Sequence, residues 1–446
     1  MTPYSPLSTL IATALLREGG HAVAHFDSTF ADGIDEFESY LDRHRPSVVA
    51  IMEDNFNFLT KMCTVRRRQD AIAMTAVAVK RGCRVLVNGP DSTDSPELYL
   101  GAGAKAVLTG EGEATLSDIA DVWRSDPAAP LNHVRGLVVP GPGRCVRRTA
   151  TRPHLRALDK LPFPAWDHLD ADAYRRAWRS KHSRFSWNLA TSRGCPYGCN
   201  WCAKPIFGRG YEQRSPASVA MEMRQLKNAF APDHFWFADD IFGLTGEWLR
   251  EFAAEVVRLD VRTPFTMQSR VNLMQPNAVQ ALADAGAEEV WLGVESGSQK
   301  ILDAMQKGSR VKEAREATRN LKARGIRACW FIQLGYPGED WDDLDQTRSL
   351  IREESPEDIG VSVAYPLPGT RFHELVKAEM GERRNWDDTD DLAMLFEGTF
   401  ETIFYRMIRD VLHDEVRTRR YDDNSWARLG HEEAIHRSPN PIALAS

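Results

Sequence analysis

A regular alternation of strand and helix patterns, beginning near residue 185, constrains the fold more than any other feature of the sequence. Six short apolar segments are predicted as strands, at 185–192, 234–239, 264–270, 289–295, 328–334 and 359–365. Helical periodicity separates them near 216–229, 246–258, 276–285, 310–324 and 340–354, and another helix follows residue 370. Successive βα units joined by short turns predict a parallel sheet curled into a partial or full barrel. The reactive residues of such a barrel lie at the carboxyl ends of its strands.

The first 125 residues show a shorter alternation of the same two elements. Helices are predicted at 5–18, 33–44 and near 66–80, and strands at 21–26, 47–52 and 84–87. This order is typical of a doubly wound, Rossmann-like parallel α/β domain. Such a domain normally opens with a strand, whereas here residues 1–4 lead almost directly into a helix. We therefore expect an α/β domain at 1–125 that lacks its opening strand.

Two other regions complete the predicted organisation. Residues 126–184 contain seven prolines and a possible hairpin at 136–147, which indicates a connector. The barrel is assigned to 185–384. Residues 385–446, which begin with Trp386-Asp387-Asp388 and continue with mixed charges, are expected to form a helical C-terminal extension.

Length and charge exclude several classes of protein. A chain of 446 residues is expected to form two or three domains rather than a small disulfide scaffold. The 56 Lys and Arg are outnumbered by 63 Asp and Glu, so nothing favours a nucleic-acid or anionic-membrane partner. No apolar run approaches the roughly 20 residues of a membrane-spanning helix, and no secretory signal is visible. Seven cysteines, an odd number, favour reduced thiols, and we expect a cytoplasmic protein.

Three of the cysteines form a cluster directly after the first barrel strand. Cys195, Cys199 and Cys202 follow the spacing C-x₃-C-x₂-C, so their thiolates can converge on one metal centre. A structural zinc site normally takes four protein ligands, and no fourth Cys or well-spaced His lies nearby. Three ligands suit a four-iron cluster with one open iron. A zinc site completed by an outside ligand, in a non-catalytic scaffold, stays open as an alternative. The other cysteines are expected to be packing residues: Cys63, Cys83, Cys145 and Cys329.

This cysteine spacing, placed after the first strand of a six-unit βα barrel, resembles the radical S-adenosylmethionine (SAM) superfamily. The resemblance implies a [4Fe-4S] cluster whose open iron chelates the amino and carboxylate groups of SAM. Reduction then splits the sulfonium and gives a 5′-deoxyadenosyl radical. Three more segments are similar to the SAM-binding segments of that superfamily: Phe237-Ala238-Asp239-Asp240, Gly293-Val294-Glu295-Ser296-Gly297 and Leu334-Gly335-Tyr336-Pro337-Gly338-Glu339.

The resemblance also implies which residues contact SAM. They are Trp201, expected against adenine, together with Asp239, Arg270, Glu295, Ser296 and Gly335. Other roles stay open for some of these residues. Asp239 and Glu295 could cap the helices that follow them, and Arg270 could form a surface ion pair.

The N-terminal domain resembles the cobalamin-binding module that precedes the radical SAM barrel in one branch of the superfamily. The similar segments are 15–21, 52–60, and 103–107 leading into Gly110-Glu111-Gly112-Glu113. The chain lacks an Asp-x-His-x-x-Gly segment, and the loop at 88–91 carries Asn and Asp where the branch often has Gly and His. Whether cobalamin binds is therefore left open at this point.

Two radical reactions compete as the predicted activity. The first is dehydration or deoxygenation of a hydroxylated small molecule such as a natural product, as in the radical diol dehydratases of aminoglycoside biosynthesis. That reaction needs an acid near the leaving hydroxyl, and the candidates are Tyr211, Tyr336, Tyr365, Glu339 and Asp340. The alternative is cobalamin-dependent methyl transfer. Either reaction implies an electron donor of the flavodoxin or ferredoxin type, and the first also a separate reductase.

Overall fold

Two sheets, one in each half of the chain, position the residues discussed below. The computed structural model describes residues 3–54, 56, 64–143, 145–202, 207, 210–381, 394–439 and 441. Asn55 and residues 57–60 of the segment 52–60, as well as Cys63 and residues 386–388, lie outside this description.

The first sheet belongs to the front domain, which we define as residues 7–148. Its elements are α1 (Leu7–Glu18), α2 (Ile34–His44), β1 (Val48–Met52), α3 (Thr64–Lys80), β2 (Arg84–Asn88), α4 (Pro90–Asp94), α5 (Pro96–Gly101), β3 (Ala106–Leu108), α6 (Gly112–Ser125), β4 (Leu137–Pro140) and β5 (Val146–Arg148). The strand order is β1-β2-β3-β4-β5. The first three strands are parallel, and the predicted hairpin adds β4 and β5 antiparallel at the far edge.

Helices cover both faces of this sheet, as the doubly wound prediction requires. Leu86 packs with α1 and α6 in one core, whereas Val85 and Val87 pack with α2 and α3 in a second core. Successive side chains of a strand point to opposite faces, so apolar residues at consecutive positions of β2 need cover on both sides.

The strand predicted at 21–26 is wrong. These residues have no regular secondary structure. A strand requires a neighbour that accepts and donates its backbone hydrogen bonds, and local propensity cannot supply one. Among the described residues, no strand precedes α1.

The second sheet contains six parallel strands in sequential spatial order. They are β6 (Ser186–Leu189), β9 (His234–Phe237), β10 (Phe265–Arg270), β11 (Ala287–Glu295), β12 (Arg327–Leu334) and β13 (Asp358–Val363). Between or after them lie α8 (Pro216–Phe230), α9 (Gly246–Arg258), α10 (Pro276–Ala285), α11 (Gln299–Ala304), α12 (Val311–Lys322), α13 (Trp341–Glu354) and α14 (Arg371–Met380). The six predicted βα units are confirmed. Ahead of this sheet, α7 (Ala171–Lys181) lies in the predicted connector.

The segment predicted as the first barrel strand is divided in two. Only β6 joins the barrel sheet, and β7 (Ser192–Gly194) pairs antiparallel with β8 (Tyr211–Gln213). The chain turns between them at Thr191, whose backbone N–H donates to the Asp239 carboxylate at 3.0 Å. A buried side chain from the neighbouring strand end therefore sets where the barrel strand stops.

Local sequence accounts for the ends of several helices. Thr245 caps α9 by accepting from the backbone N–H of Trp248, and Asp340 forms a capping box with Asp343 at the start of α13. Gly286 ends α10 in the left-handed region at φ 104°. No helix in the described part of the chain has the length and hydropathy needed to cross a membrane.

The C-terminal extension is helical and packs on the barrel. It contains α15 (Thr402–Thr418) and α16 (Asp423–Glu432). Arg348 on α13 donates to Glu415 on α15 at 2.6 Å, and both side chains are buried. The same guanidinium reaches Asp423 at 3.0 Å. This ion pair joins the extension to the helix that follows the fifth barrel strand.

Removing Glu415 tests this attachment. Glu415→Ala leaves a buried guanidinium with only the exposed Asp423 as a partner, so we expect the free energy of unfolding to fall by about 3 kcal/mol. Asp414→Ala on the same helix removes an exposed pair with Arg417 and should change it by less than about 0.5 kcal/mol. Denaturant unfolding of both variants measures the difference, and equal effects would contradict the attachment.

Candidate functional site

The cysteine loop, residues 195–202, begins at a tightly constrained glycine. Gly194 pairs with Tyr211 at the end of the β7–β8 ribbon and has φ +76°. A Cβ at this position would lie 2.0 Å from the Gly210 carbonyl oxygen. Only glycine fits, so the two strands can close behind the loop that carries Cys195, Cys199 and Cys202.

Asn200 anchors the middle of the cysteine loop. Its backbone N–H donates to the Met305 carbonyl at 3.1 Å, and its side-chain amide donates to the Ala304 carbonyl at 2.8 Å. Its amide oxygen accepts from the Tyr336 hydroxyl at 3.0 Å. The Asn200 carbonyl accepts from the Phe372 backbone at 3.1 Å. These four hydrogen bonds join the loop to the end of α11, to the segment after β12 and to α14. They hold the loop over the strand ends.

Arg270, at the carboxyl end of β10, contacts the central cysteine. Its guanidinium lies 3.4 Å from Cys199 Sγ and 3.9 Å from the centre of the Tyr197 ring, and it also donates to the Lys307 carbonyl. Arg270 and Cys199 are both buried. Arg270 therefore holds the central cysteine of the loop against the carboxyl end of β10.

A buried ion pair lies beside the last cysteine. Glu295 ends β11 with φ 68°, a left-handed conformation that is unusual for a residue other than glycine. Its carboxylate accepts from Lys307 Nζ at 2.6 Å, and this ammonium lies 5.8 Å from the Trp201 ring. Glu295 and Arg270 therefore lie with Trp201 along the cysteine loop, and the contacts with SAM predicted for these three residues remain predictions.

These residues fit a cluster and a polar ligand. Three cysteine thiolates suit a [4Fe-4S] cluster, because each cysteine ligates a different iron and one iron is left open. The indole N–H of Trp201 is buried and makes no hydrogen bond within the described residues, so a donor is left for a ligand beside Cys202.

Asp239 has internal partners. Its carboxylate accepts from the Thr191 hydroxyl at 2.9 Å and the Ser192 hydroxyl at 2.5 Å. Burial raises the pKa of Asp239 to about 7. The nearby Asp239 charge adds to burial in raising the pKa of Tyr211, one of the predicted acids. Both residues lie at the base of the cysteine loop, and the predicted contact of Asp239 with SAM remains a prediction.

The other predicted site residues also have partners within the protein. The Ser296 hydroxyl lies 3.3 Å from Thr347 Oγ1 on α13. Gly335 donates its backbone N–H to Glu339 at 2.6 Å, and burial raises the pKa of Glu339 to about 8. Tyr336 contacts Asn200, as described above. Tyr365 is half-buried. The carboxylate of Asp340 accepts from Lys300 Nζ at 2.9 Å.

Arg193 joins the cysteine loop to the front domain. Two residues before Cys195, its guanidinium donates to Glu111 at 2.9 Å and to Glu113 at 3.0 Å. All three side chains are at most 5% exposed. We call these contacts the Arg193 ion pairs. They hold the loop between β3 and α6 of the front domain against the metal-binding loop of the barrel.

The carboxyl edge of the front sheet contains two further buried acids. Burial raises the pKa of Glu53 to about 7 and the pKa of Asp54 to about 6. Asp54 accepts from the Ser8 backbone and hydroxyl, both at 3.3 Å. One oxygen of Glu53 is buried with no hydrogen-bond partner in the described part of the chain. A Cβ at Gly89 would lie 2.6 Å from the other oxygen. The crevice between the ends of β1 and β2 therefore offers an acceptor to a ligand.

Four contributors to the site were not predicted from the sequence. Arg193 stands directly before the cysteine motif, and its charge at that position was an available signal. Glu111 and Glu113 were noted only as part of a glycine-rich segment. Lys307 lies 12 positions after Glu295 and carries no motif spacing, so only the folded chain reveals it.

Part of the chain matches a known family model. Residues 189–351 match the Radical SAM superfamily model, and this range includes the cysteine loop, Arg270 and Glu295. An uncharacterized methyltransferase from Pyrococcus horikoshii is 26% identical over 380 residues, which cover 84% of this chain and 78% of that protein.

Two solved structures share the fold of both halves. TsrM from Kitasatospora setae, a radical SAM methyltransferase with cobalamin and a [4Fe-4S] cluster bound, has a TM-score of 0.68 at 19% identity over 86% of this chain and 74% of its own. OxsB, a cobalamin-dependent SAM radical enzyme with aqua-cobalamin and SAM bound, has a TM-score of 0.75 at 16% identity. The match covers 97% of this chain and 68% of OxsB. The fold class expected from the sequence, a Rossmann-like α/β sheet followed by a parallel βα barrel sheet, is confirmed.

Disrupting the Arg193 ion pairs should affect stability and cluster loading together. Arg193→Ala leaves two carboxylates buried without their cation, so we expect the free energy of unfolding to fall by about 3–5 kcal/mol and bound iron to decrease. Arg179→Ala, which removes an exposed pair with Asp233, is the control. Unfolding curves and iron analysis after anaerobic reconstitution test this. An Arg193→Ala protein with wild-type stability would contradict the role given to this arginine.

The raised pKa of Glu339 predicts how stability depends on pH. Folded protein holds the Glu339 proton more tightly than unfolded protein, so this residue's contribution to the free energy of unfolding decreases from about pH 5 to about pH 8. Glu339→Gln keeps an oxygen that can accept from Gly335 and cannot ionise. The wild type should lose more stability than the variant over this range in urea unfolding. Parallel curves for the two proteins would be the contrary result.

Proposed function

We propose that this chain, whose residues 189–351 match the Radical SAM superfamily model, is a radical SAM enzyme that transfers a methyl group to a small molecule with the help of cobalamin. The observation that carries the proposal is the position of the front domain. Through the Arg193 ion pairs, its strand ends lie directly on the cysteine loop. A methyl donor held at those strand ends would be adjacent to the place where the substrate radical forms.

The similar proteins support the same choice. The Pyrococcus horikoshii protein and TsrM are both named methyltransferases, and TsrM holds cobalamin together with its cluster. Dehydration, which the sequence alone slightly favoured, has no counterpart among the similar proteins described above. Two of its candidate acids, Tyr336 and Glu339, already bond to the protein itself.

The residues around the cysteine loop would bind SAM, orient it and exclude water from it. Cys195, Cys199 and Cys202 would hold the cluster, which would supply an electron to SAM. Arg270 contacts Cys199 and fixes the loop. Lys307 and Glu295 present a paired cation and anion, which suit the carboxylate and amino groups of SAM. Trp201 shields this side of the ligand and offers its unused N–H.

The front domain offers a partial fit to a corrin. Cobalamin, when bound, supplies a transferable methyl group. Amide side chains around the corrin are hydrogen-bond donors, and the buried Glu53 oxygen without a partner is an acceptor at the edge where they would lie. No histidine lies in the loop at 88–91 to ligate cobalt, so the lower face would have no ligand from that loop.

The overall reaction balances with two molecules of SAM and two electrons. One SAM yields methionine and, after hydrogen abstraction from the substrate, 5′-deoxyadenosine. The other yields the methyl group and S-adenosylhomocysteine. Both electrons come from an external donor, for which we propose a protein of the flavodoxin or ferredoxin type.

Product analysis of the reconstituted full-length protein tests the proposal. With SAM and dithionite, we expect 5′-deoxyadenosine whether or not cobalamin is added. S-adenosylhomocysteine should appear only with cobalamin, and the corrin absorption band should remain with the protein through gel filtration. Cys199→Ala should abolish 5′-deoxyadenosine, whereas Cys145→Ala, at an exposed position, should leave both products unchanged.

The competing hypothesis, radical dehydration, predicts a different set of products. A dehydratase would form 5′-deoxyadenosine only, lose the corrin on gel filtration and yield no S-adenosylhomocysteine. That result would overturn methyl transfer while leaving the radical SAM assignment in place.

A further inference from the structure

Alternate residues of β12 point into the barrel, away from the surrounding helices. The indole N–H of Trp330 donates to the Thr318 hydroxyl on α12 at 3.0 Å, so Trp330 points outward. Because successive side chains of a strand point to opposite faces, Phe331 and Gln333 lie on the inner face. Side chains normally fill the interior of a βα barrel. Phe331 is only half-buried, although β12 has a neighbouring strand on each side, so its ring is not fully covered.

Trp291 on β11 forms an aromatic wall with Phe331. Its neighbour Leu292 belongs to the core between the sheet and the helices, so Trp291 points inward. The two rings stack with their centres 4.9 Å apart and their planes at 29°. Trp291 Nε1 donates to Glu289 at 2.8 Å, which fixes the indole. A Cβ at Gly360 on β13 would lie 3.4 Å from both rings, so the wall extends to β13. Trp291 is half-buried like Phe331, and the wall therefore faces an incompletely filled interior.

Gln333 adds an unused hydrogen-bond acceptor next to this wall. Its side chain is 3% exposed, and its Oε1 makes no hydrogen bond within the described residues. A buried amide oxygen without a donor costs free energy, and a bound ligand can supply that donor. Gln333 pairs with Ser362 of β13, and Glu295 pairs with the preceding residue of β12, Ile332. A donor bound at Gln333 therefore lies next to the strand end where SAM is predicted to bind.

Tyr4 and Ser5 occupy the opposite side of the barrel interior. The Tyr4 ring contacts the Trp236 ring on β9, with the centres 6.0 Å apart. Ser5 donates its backbone N–H to Asn188 Oδ1 on β6 at 2.9 Å, and the Asn188 amide donates to the Ser5 carbonyl at 2.9 Å. The register of the sheet places Asn188, Trp236 and Glu289 on the same face. The β6–β9 side is therefore covered by the chain itself, and the wall on β11 and β12 is the side that can receive a ligand.

We propose that the substrate is a small molecule with a planar conjugated ring and an N–H or O–H donor at the edge of that ring. The ring packs on Trp291 and Phe331, because flat rings bury the most apolar area against other rings. The donor binds Gln333 Oε1 and sets the orientation of the ring. This inference rests on the proposed function, because a bound ring becomes a methyl acceptor only if a radical forms beside it.

Two probes of the same shape test this proposal. The probe 2-quinolinone carries a lactam N–H at the position where coumarin carries a ring oxygen. Equilibrium dialysis measures the binding of each to cluster-loaded, full-length protein without a reductant. We expect 2-quinolinone to bind one-to-one and coumarin to bind at least about tenfold more weakly, because only the lactam can donate to Gln333.

A matched pair of variants locates the binding site. Gln333→Leu keeps the approximate size of the side chain and removes the acceptor, so it should weaken 2-quinolinone binding by about tenfold or more and leave coumarin binding unchanged. Gln225→Leu, at an exposed position on α8, should leave the binding of both probes unchanged. Phe331→Leu should weaken the binding of both probes, because it removes half of the aromatic wall.

Three results would overturn the proposal: no binding of 2-quinolinone up to about 1 mM, equal binding of coumarin, or equal binding of 2-quinolinone by the two glutamine variants. The comparison of the two probes on the wild type decides the question even if Gln333→Leu does not fold. Absence of S-adenosylhomocysteine in the product analysis described above would instead overturn methyl transfer, because the dialysis needs neither cobalamin nor turnover.

Discussion

The buried contact of Arg193 with Glu111 and Glu113 is the interaction on which the arrangement of the two halves depends. Removing three charged groups from water costs several kcal/mol per ion, and the structure recovers this cost only because each carboxylate directly faces the guanidinium. Arg193 stands two residues before the first cysteine of the loop. One contact therefore sets the position of the front domain relative to the cysteine loop. Neither can shift without exposing a buried charge to water or leaving it without its partner.

Polar contacts also hold the side chains at the barrel strand ends. Lys307 pairs with Glu295, and the Arg270 guanidinium contacts Cys199 Sγ and the Lys307 carbonyl. Tyr336 donates to Asn200, and Glu339 accepts from the Gly335 backbone with one of its oxygens. These contacts fix the side chains around the cysteine loop before any ligand binds.

The predictable part of the site consists of residues that lie next to a strand end in sequence. Trp201, Arg270 and Glu295 were expected near the cysteines because parallel strands bring their carboxyl ends to one edge. Lys307 and Asn200 could not be found in this way, since their partners are reached through turns and helix ends rather than strand order. The orientation of Ser296 and Asp239 toward neighbouring polar residues also depends on side-chain packing that a motif does not encode.

By itself, the sequence determined the six βα units, the doubly wound front domain and the three-cysteine loop, because periodicity and spacing are local properties of a chain. Only the tertiary structure decided that residues 21–27 stay outside the sheet and that Arg193 bridges the halves. Strand pairing and buried ion pairs join residues far apart in sequence, so their energies exist only once the chain has brought both partners together.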